Sequence, residues 1–241
     1  MIKNISFEET KSFLKKYSFS EFLLYEFDNK DLYGVFSDEN LSSVIIKSGE
    51  FCYMLSDSLF DMDEIKVFIQ LNGINEIISN KKLNFIKGKS CYLMTRKIEI
   101  FDFKSRYNYS FENNMNKIKY IYENLKSYFS LPEFDEFYMS LFYKNKNDKL
   151  RLYGIFEEEK CISSAILFLL NEDYVKLTSV ATNPDFQKRG YGQKIIFDIC
   201  HDLFLNNRIL YLLCEKDYVF DFYKKMGFVL TEKLYLHKVE Y

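Results

Sequence analysis

The clearest pattern along the chain is an alternation of apolar and polar positions that occurs twice. Leu-Tyr-Gly-Val-Phe at 32–36 returns as Leu-Tyr-Gly-Ile-Phe at 152–156, an offset of 120 positions. Each segment is followed by acidic turn residues and a second, more apolar segment, which predicts a β-hairpin. Glu39 and Glu159 keep the same offset, and one inserted residue then aligns Ser42-Ser43 with Ser163-Ser164. The sequence therefore predicts an internal repeat.

Similar elements flank the two predicted hairpins. A helix is predicted before each hairpin. Before the second hairpin, apolar residues recur every three or four positions. These residues are Phe134, Phe137, Tyr138, Leu141 and Phe142. An apolar strand is predicted after each hairpin, at 51–55 and at 174–180. The order of elements is therefore the same in both copies.

A helix that ends at a glycine is also predicted in both copies. Phe68 precedes Gly73, and Phe222 precedes Gly227, in the pattern typical of a helix that ends before a strand. The offset here is 154 positions rather than 120, so the second copy has about 30 residues that the first lacks, near 184–211. On this alignment the first copy has lost one helix.

The extra segment concentrates glycine and basic residues between a predicted strand and a predicted helix. Pro184 ends the strand, and Gly190 and Gly192 follow Lys-Arg. An apolar stripe with a spacing of four positions begins at Ile195 and predicts a helix with one buried face. The first amide groups of a helix lack internal partners and lie at the positive end of its dipole. Such a loop can bind phosphate, although a connection without any ligand shows the same glycines.

Two common phosphate loops do not fit this segment. A P-loop requires lysine and then serine or threonine after the glycines, and a dinucleotide fingerprint requires a third glycine where Ile195 stands. The segment instead contains V-A-T-x-P, then Q-x-x-G-x-G, and later F-Y-K-K-M-G-F at 222–228. This order of motifs resembles the acetyl-CoA-binding region of the GNAT superfamily of N-acyltransferases, over about residues 130–241.

The resemblance implies a fold and a co-substrate. It implies a mixed α/β (α+β) chain with tandem GNAT-like folds, each a mostly antiparallel sheet flanked by helices. We expect residues 1–105 to form a degenerate GNAT-like domain without the CoA loop, and residues 106–241 to form the catalytic domain. Acetyl-CoA would pair its pantetheine arm with the strand and place its pyrophosphate on the loop. The implied binding residues are Val180, Ala181, Thr182, Gln187, Lys188, Arg189, Gly190, Tyr191, Gly192 and Gln193.

The resemblance also implies a catalytic role for Tyr223. A tyrosine hydroxyl, with a pKa of about 10, can protonate a thiolate whose thiol has a pKa of about 8.5. The spacing of Tyr223 fits a core position equally well. On the alignment above, Ile69 takes its place in the first copy and cannot donate a proton. Glu215 and Asp217 follow the strand before this motif and are candidates for the general base, which the sequence does not identify.

Other reactive side chains are predicted to be structural. His201 and His237 are expected to be packing residues, and Cys214 a buried, inert thiol. The acidic pair at 172–173 is typical of a solvated turn. The acidic residues at 61–64 lack the glycine and the last glutamate of a calcium loop, so they are predicted to begin a helix. We expect no metal.

Composition narrows the range of partners. Hydrophobic residues make up 48% of the chain and charged residues 28%, and the net charge of −2 provides no basic field for nucleic acid. The five cysteines form no CxxC pair, and the N-terminus lacks the apolar segment of a signal peptide. The longest apolar run, 162–170, is too short to span a bilayer. We therefore expect a cytoplasmic protein with no nucleic-acid or membrane partner.

Two functional hypotheses remain open. The first is an N-acetyltransferase that moves an acetyl group from acetyl-CoA directly to a primary amine of a small molecule or peptide. The second is an acyl-CoA-binding sensor or scaffold protein without turnover. A tandem GNAT transferase that depends on aminoacyl-tRNA is disfavoured, because such enzymes do not need an intact CoA loop. The cofactor motif does not specify the acceptor amine.

Overall fold

A computed structural model describes residues 1–17, 21–27, 30–58, 61–97, 115–204, 208–215 and 217–239. The chain forms two compact units. Unit 1 comprises Met1–Met94, Leu213–Lys224 and Val229–Tyr241, and unit 2 comprises Thr95–Leu212 and Lys225–Phe228. The predicted domain boundary at residue 105 lies outside the described residues and stays a prediction.

Helices and strands are interspersed in both halves of the chain. The first half contains β1 (Ile2–Asn4), α1 (Phe7–Leu14), a 3₁₀ turn (Glu21–Tyr25), β2 (Asp31–Ser37), β3 (Asn40–Ser48), β4 (Phe51–Ser56), α2 (Met62–Leu71), β5 (Glu76–Ser79) and β6 (Gly88–Lys97). The second half contains a 3₁₀ turn (Met115–Lys117), α3 (Ile118–Lys126), α4 (Phe134–Lys146), β7 (Leu150–Glu157), β8 (Lys160–Leu169), β9 (Tyr174–Thr182), a 3₁₀ turn (Pro184–Phe186), α5 (Tyr191–Phe204), β10 (Ile209–Cys214), α6 (Asp217–Lys225) and β11 (Val229–Lys238).

Each unit contains a mostly antiparallel arrangement of strands, as the sequence predicts. In unit 1 the strand order is β1-β2-β3-β4-β5-β11-β6, and in unit 2 it is β10-β9-β8-β7. Parallel pairing joins β4 to β5 and β9 to β10, whereas β1–β2, β2–β3, β3–β4, β5–β11, β7–β8 and β8–β9 are antiparallel. A parallel pair needs a crossover helix, which α2 and α5 provide.

Strand register confirms the internal repeat. The pairing of β2 with β3 shifts between Val35 and Phe36, and the pairing of β7 with β8 shifts between Ile155 and Phe156. Both hairpins thus have a β-bulge at the same place, 120 positions apart. The predicted one-residue insertion is wrong: Val35 pairs with Ser43 and Ile155 pairs with Ser163, so Ser43 itself corresponds to Ser163.

The glycine of each repeated segment is required by the aromatic residue two positions later. A Cβ atom at Gly154 would lie 2.3 Å from the ring of Phe156, and one at Gly34 would lie 2.7 Å from the ring of Phe36. Residues two apart in a strand share a face, so each phenyl ring covers the bare backbone of its glycine. The Gly-x-Phe pattern therefore repeats because the packing repeats.

The prediction that the first copy lost a helix is wrong. In unit 1, α2 connects the parallel strands β4 and β5, just as α5 connects β9 and β10 in unit 2. The counterpart of α2 is therefore α5 rather than α6, and Ile69 does not take the position of Tyr223. The alignment failed because a glycine just after the last turn is common to many helices. It therefore does not identify which helices of the two copies correspond.

Separate apolar cores support the two units. In unit 1, side chains of α2 pack on β2–β5, with Ile65, Phe68 and Ile69 buried. In unit 2, the apolar faces of α3 and α4 pack on β7 and β8. The helix predicted from the spacing at 134–142 is α4, although Phe142 is 39% exposed. Burial of these faces, at about 25 cal/mol per Å² of apolar surface, stabilises both units.

Candidate functional site

The strand that carries the V-A-T motif bends before it ends. Along β9, Ala181 pairs with Ser164 and Thr178 pairs with Ile166, so Ser179 and Val180 both lie opposite Ala165. Ser179 has a φ of +53°. Two residues opposite one define a β-bulge, which increases the local twist and turns a strand away from its neighbour.

After Lys176, which precedes the bulge, one edge of β9 has no strand partner within the described residues. The parallel pairing of β9 with β10 covers three residue pairs and ends where Lys176 meets Tyr211. From there β9 continues for the six residues Leu177–Thr182, whose other edge remains paired with β8. Backbone amide and carbonyl groups along such an edge can pair with an extended ligand, as in β-strand addition.

The corresponding strand of unit 1 leaves no comparable edge. There β4 pairs with β5 from Phe51 to Met54, and β4 ends two residues later at Ser56. Its pairing with β3 shows no bulge. The repeated strands thus differ in the feature that would admit an extended ligand.

A tight turn connects β9 to α5. Asn183 accepts a hydrogen bond from the amide of Asp185 at 3.1 Å, which begins the 3₁₀ turn at Pro184. Lys188 and Gly190 have φ values of +60° and +87°. The carbonyl of Gly190 accepts the first helical hydrogen bond, from the amide of Lys194 at 3.0 Å. Gly190 is therefore the N-cap of α5.

The N-cap of α5 has no side chain that could accept hydrogen bonds from the first amides of the helix. A side-chain oxygen at this position ordinarily accepts from the second or third amide of the helix, and glycine has none. In unit 1, by contrast, the carboxylate of Asp61 accepts from the amides of Asp63 at 3.1 Å and Glu64 at 3.2 Å. The N-terminus of α2 thus already holds an anion, whereas the N-cap of α5 supplies none.

Gln187 is held by a hydrogen-bond network that the sequence did not reveal. Its Nε2 donates to the hydroxyl of Tyr128 at 2.7 Å and to the carbonyl of Thr182 at 3.3 Å. The Tyr128 hydroxyl donates in turn to the same Thr182 carbonyl. Tyr128, just after α3, therefore fixes the turn from outside it, and a single tyrosine among 20 gave no signal in the sequence.

Of the remaining predicted loop residues, some have exposed side chains and one has a buried side chain. Lys188, Arg189 and Gln193 are exposed, and the guanidinium of Arg189 lies 5.3 Å from the centre of the Phe186 ring. Tyr191 is buried, with its ring 6.1 Å from that of Phe186. Exposed cations beside the start of a helix favour a phosphate ligand, whereas the Tyr191 side chain contributes packing.

Tyr223 lies in unit 1, on α6, and is 7% exposed. Burial, with a smaller contribution from the neighbouring Cys214, raises the pKa of Tyr223 well above its usual value. Its hydroxyl therefore stays protonated at neutral pH, as a proton donor must. Burial also raises the pKa of Cys214 to about 11, which agrees with an inert thiol.

The candidates for the general base do not converge on one group. Glu215 is exposed, and Asp217 accepts a hydrogen bond from the Tyr92 hydroxyl at 2.9 Å. The acidic pair at 172–173 lies on an exposed turn, as predicted. His201 is exposed, whereas His237 is buried with Nε2 3.2 Å from the Ser79 hydroxyl oxygen.

The acidic segment at 61–64 begins a helix, as predicted. Among the described residues no group of three or more histidine, cysteine, aspartate or glutamate side chains could hold a metal ion. The helices in the described part of the chain are too short or too polar to cross a bilayer.

Solved structures with the same fold cover the whole chain. A GNAT-family acetyltransferase from Colwellia psychrerythraea is 10% identical, with a TM-score of 0.61 and 100% of both chains covered. A GCN5-related N-acetyltransferase from Sphaerobacter thermophilus is 9% identical, with a TM-score of 0.64, covering 98% of this chain and 85% of that one. A tandem GNAT protein from the clavulanic acid biosynthesis pathway is 8% identical, with a TM-score of 0.59, covering 100% and 98%. The chain therefore has the tandem GNAT fold.

A family model matches most of the second half of the chain. Residues 118–228 match the model of the acetyltransferase (GNAT) family, which includes β9, the turn and α5. No curated protein sequence matches the chain. The protein thus carries a GNAT acetyltransferase domain in its C-terminal half.

Proposed function

We propose that this protein transfers an acetyl group from acetyl-CoA to a primary amine of a small molecule or peptide. The observation that carries the proposal is the combination, within unit 2, of an unpaired edge of β9 and a helix whose N-cap residue is glycine. An extended amide-containing chain fits the first feature, and a diphosphate fits the second. The residues present therefore suit both parts of a CoA ester.

In this proposal the backbone of Val180–Thr182 pairs with the pantetheine arm. The amides from Lys188 to Gln193 bind the pyrophosphate, and the Lys188 and Arg189 side chains add charge beside it. Gln187 is a positioning residue, because its amide is already bonded to Tyr128 and Thr182. The bound thioester supplies an activated acetyl group that a neutral amine can accept.

The proposal assigns the final proton to Tyr223. Transfer forms a C–N bond and breaks the C–S bond. The attacking nitrogen gives up one proton to water, and the thiolate that leaves takes up one proton. A buried, protonated tyrosine can supply that proton. This assignment rests on the family motif at 222–228 and on the protonated state of the hydroxyl.

A thiol-release assay tests the proposal. Acetyl-CoA is incubated with the protein and a panel of amines, and released CoA is measured. We expect turnover with at least one amine, and Tyr223→Phe should reduce the rate by about 10²-fold or more while acetyl-CoA still binds. Exposed Tyr218→Phe on the same helix is the matched control and should keep its activity.

Two results would change the assignment. Tight binding of acetyl-CoA without turnover on any amine would make the protein an acyl-CoA-binding sensor or scaffold. An active Tyr223→Phe variant would return Tyr223 to a packing role and leave the transferase proposal intact.

A further inference from the structure

The outer face of α4, in unit 2, carries large apolar side chains. On the inner face of this helix, Phe137 and Leu141 are buried in the core. On the outer face, Met139 is 44% exposed, Phe142 39% and Tyr143 61%. Large apolar side chains that group on one exposed face mark an interaction surface, whereas single exposed ones do not. The other side chains on this face indicate which partner it fits.

A carboxylate and an ammonium group lie at the two ends of the same exposed stripe. With 3.6 residues per turn, Asp135, Met139, Phe142 and Lys146 fall within about 60° of one another around the helix axis. Asp135 and Lys146 are exposed, and within the described ranges neither forms an ion pair with another side chain of the chain. The helix dipole favours an acid in the first turn and a base in the last, but it does not require that both share the apolar stripe.

This stripe is complementary to itself in the antiparallel direction. Four positions separate Asp135 from Met139, and four separate Phe142 from Lys146. A two-fold axis midway between Met139 and Phe142 therefore places Asp135 of each copy opposite Lys146 of the other. It also places Met139 against Phe142 of the second copy, which is a favourable thioether–aromatic contact. A two-fold interface uses the same patch on both chains, and this patch meets that requirement.

The spacing along the stripe also fits helix pairing. Successive stripe residues are four, three and four positions apart, as in the seam of a coiled coil. The charges select the antiparallel pair, because a parallel pair would set Asp135 against Asp135 and Lys146 against Lys146. Antiparallel helices also bring opposite ends of their dipoles together.

We propose that the protein forms a homodimer through α4, with the two helices antiparallel and Asp135 of each copy paired with Lys146 of the other. One pair of 13-residue helices makes a small interface, so we expect weak association, with a Kd of about 1–100 μM. The inference does not rest on acetyl transfer, because it uses only one face of α4.

Sedimentation velocity of the full chain, from about 5 to 500 μM at low ionic strength, tests the inference. We expect a dimer that forms as the concentration rises. Asp135→Lys sets lysine against lysine at both ends of the stripe, and Lys146→Asp sets aspartate against aspartate, so each should raise the Kd by about tenfold or more. Both positions are exposed, so the variants should fold, as circular dichroism can verify. The matched control, Glu172→Lys, makes the same charge change on an exposed turn of unit 2 and should stay within about twofold of the native Kd.

A mixture of the two charge-reversed variants tests the antiparallel register. A fluorescent tag on Asp135→Lys reports the partner of that variant alone. Its two stripe lysines face the two stripe aspartates of Lys146→Asp, so a heterodimer should form with about the native Kd. The control partner is Lys119→Asp, which has the same net charge as Lys146→Asp but carries its change at an exposed position of α3. That mixture leaves one pair of lysines opposed and should bind about tenfold more weakly.

Three results would overturn the inference. The native protein could sediment as a monomer at every concentration. Asp135→Lys alone could form dimers as readily as the native protein. Tagged Asp135→Lys could fail to prefer Lys146→Asp over Lys119→Asp, which would leave only attraction between net charges.

Discussion

Gly190→Ala tests the turn before α5 with a change of one methyl group. The glycine has a φ of +87°, and a Cβ atom there would have as its nearest neighbour Oε1 of Gln193 at 4.0 Å. Space is therefore available, and the penalty comes from the backbone alone, at about 1–2 kcal/mol. In a chain of this size that corresponds to a decrease in melting temperature of about 2–8 °C.

The same substitution should weaken acetyl-CoA binding. Relief of the strain moves φ toward negative values and reorients the amides that we propose for the pyrophosphate. Loss of one hydrogen bond to a charged group costs about 1.5–3 kcal/mol, which corresponds to about a 10- to 150-fold increase in Kd. Isothermal titration calorimetry with acetyl-CoA measures this change directly.

Gly73→Ala is the matched control for the strain. Gly73 has a φ of +58° with open space around its Cβ position, and it follows α2 in unit 1. We expect a similar loss of stability but an unchanged Kd for acetyl-CoA. The reasoning is refuted if Gly190→Ala loses stability like Gly73→Ala and still binds acetyl-CoA as tightly as the native protein.

Three further predictions follow from burial and capping. All five thiols are buried and burial raises the pKa of each, so none should react with Ellman's reagent at pH 8 until denaturant is added; a fast native reaction would contradict this. Burial lowers the pKa of His237, so below about pH 6.5 the unfolded chain binds more protons than the folded chain. As the pH falls through this range, the free energy of unfolding should therefore decrease by up to about 1.4 kcal/mol per pH unit. Urea unfolding at pH 7.5 and 5.5 should show this fall for exposed His201→Gln but much less of it for His237→Gln. Asp61→Ala should lower the unfolding free energy by about 1 kcal/mol, because α2 loses its N-cap, and any change in acetyl-CoA affinity would argue against the assignment of binding to unit 2.

The hairpins could be predicted from the sequence because their signals are local. Alternation with a period of two identifies β2, β3, β7 and β8, and the Gly-x-Phe pattern reflects contacts between residues two positions apart. The spacing of four positions after Ile195 likewise identifies α5. In each case the residues that interact are neighbours in the chain.

Long-range pairing could not be predicted in the same way. The pairing of β11 with β5 in unit 1 joins segments about 160 residues apart, and neither segment specifies the other. The end of pairing at Lys176, which creates the unpaired edge of β9, depends on where β10 diverges rather than on any residue type. The role of Tyr128 could not be predicted either, because it depends on hydrogen bonds to a turn about 60 residues later.

The most direct measurement follows the amide signals of the eight glycines during a titration with acetyl-CoA. With ¹⁵N-glycine as the label, the central claim predicts that the signals of Gly190 and Gly192 shift, whereas those of Gly34, Gly49 and Gly73 in unit 1 stay in place. A short acetyl thioester without the diphosphate should leave Gly190 and Gly192 unchanged. Saturable binding of acetyl-CoA with both signals unmoved would contradict the claim that the start of α5 holds the diphosphate.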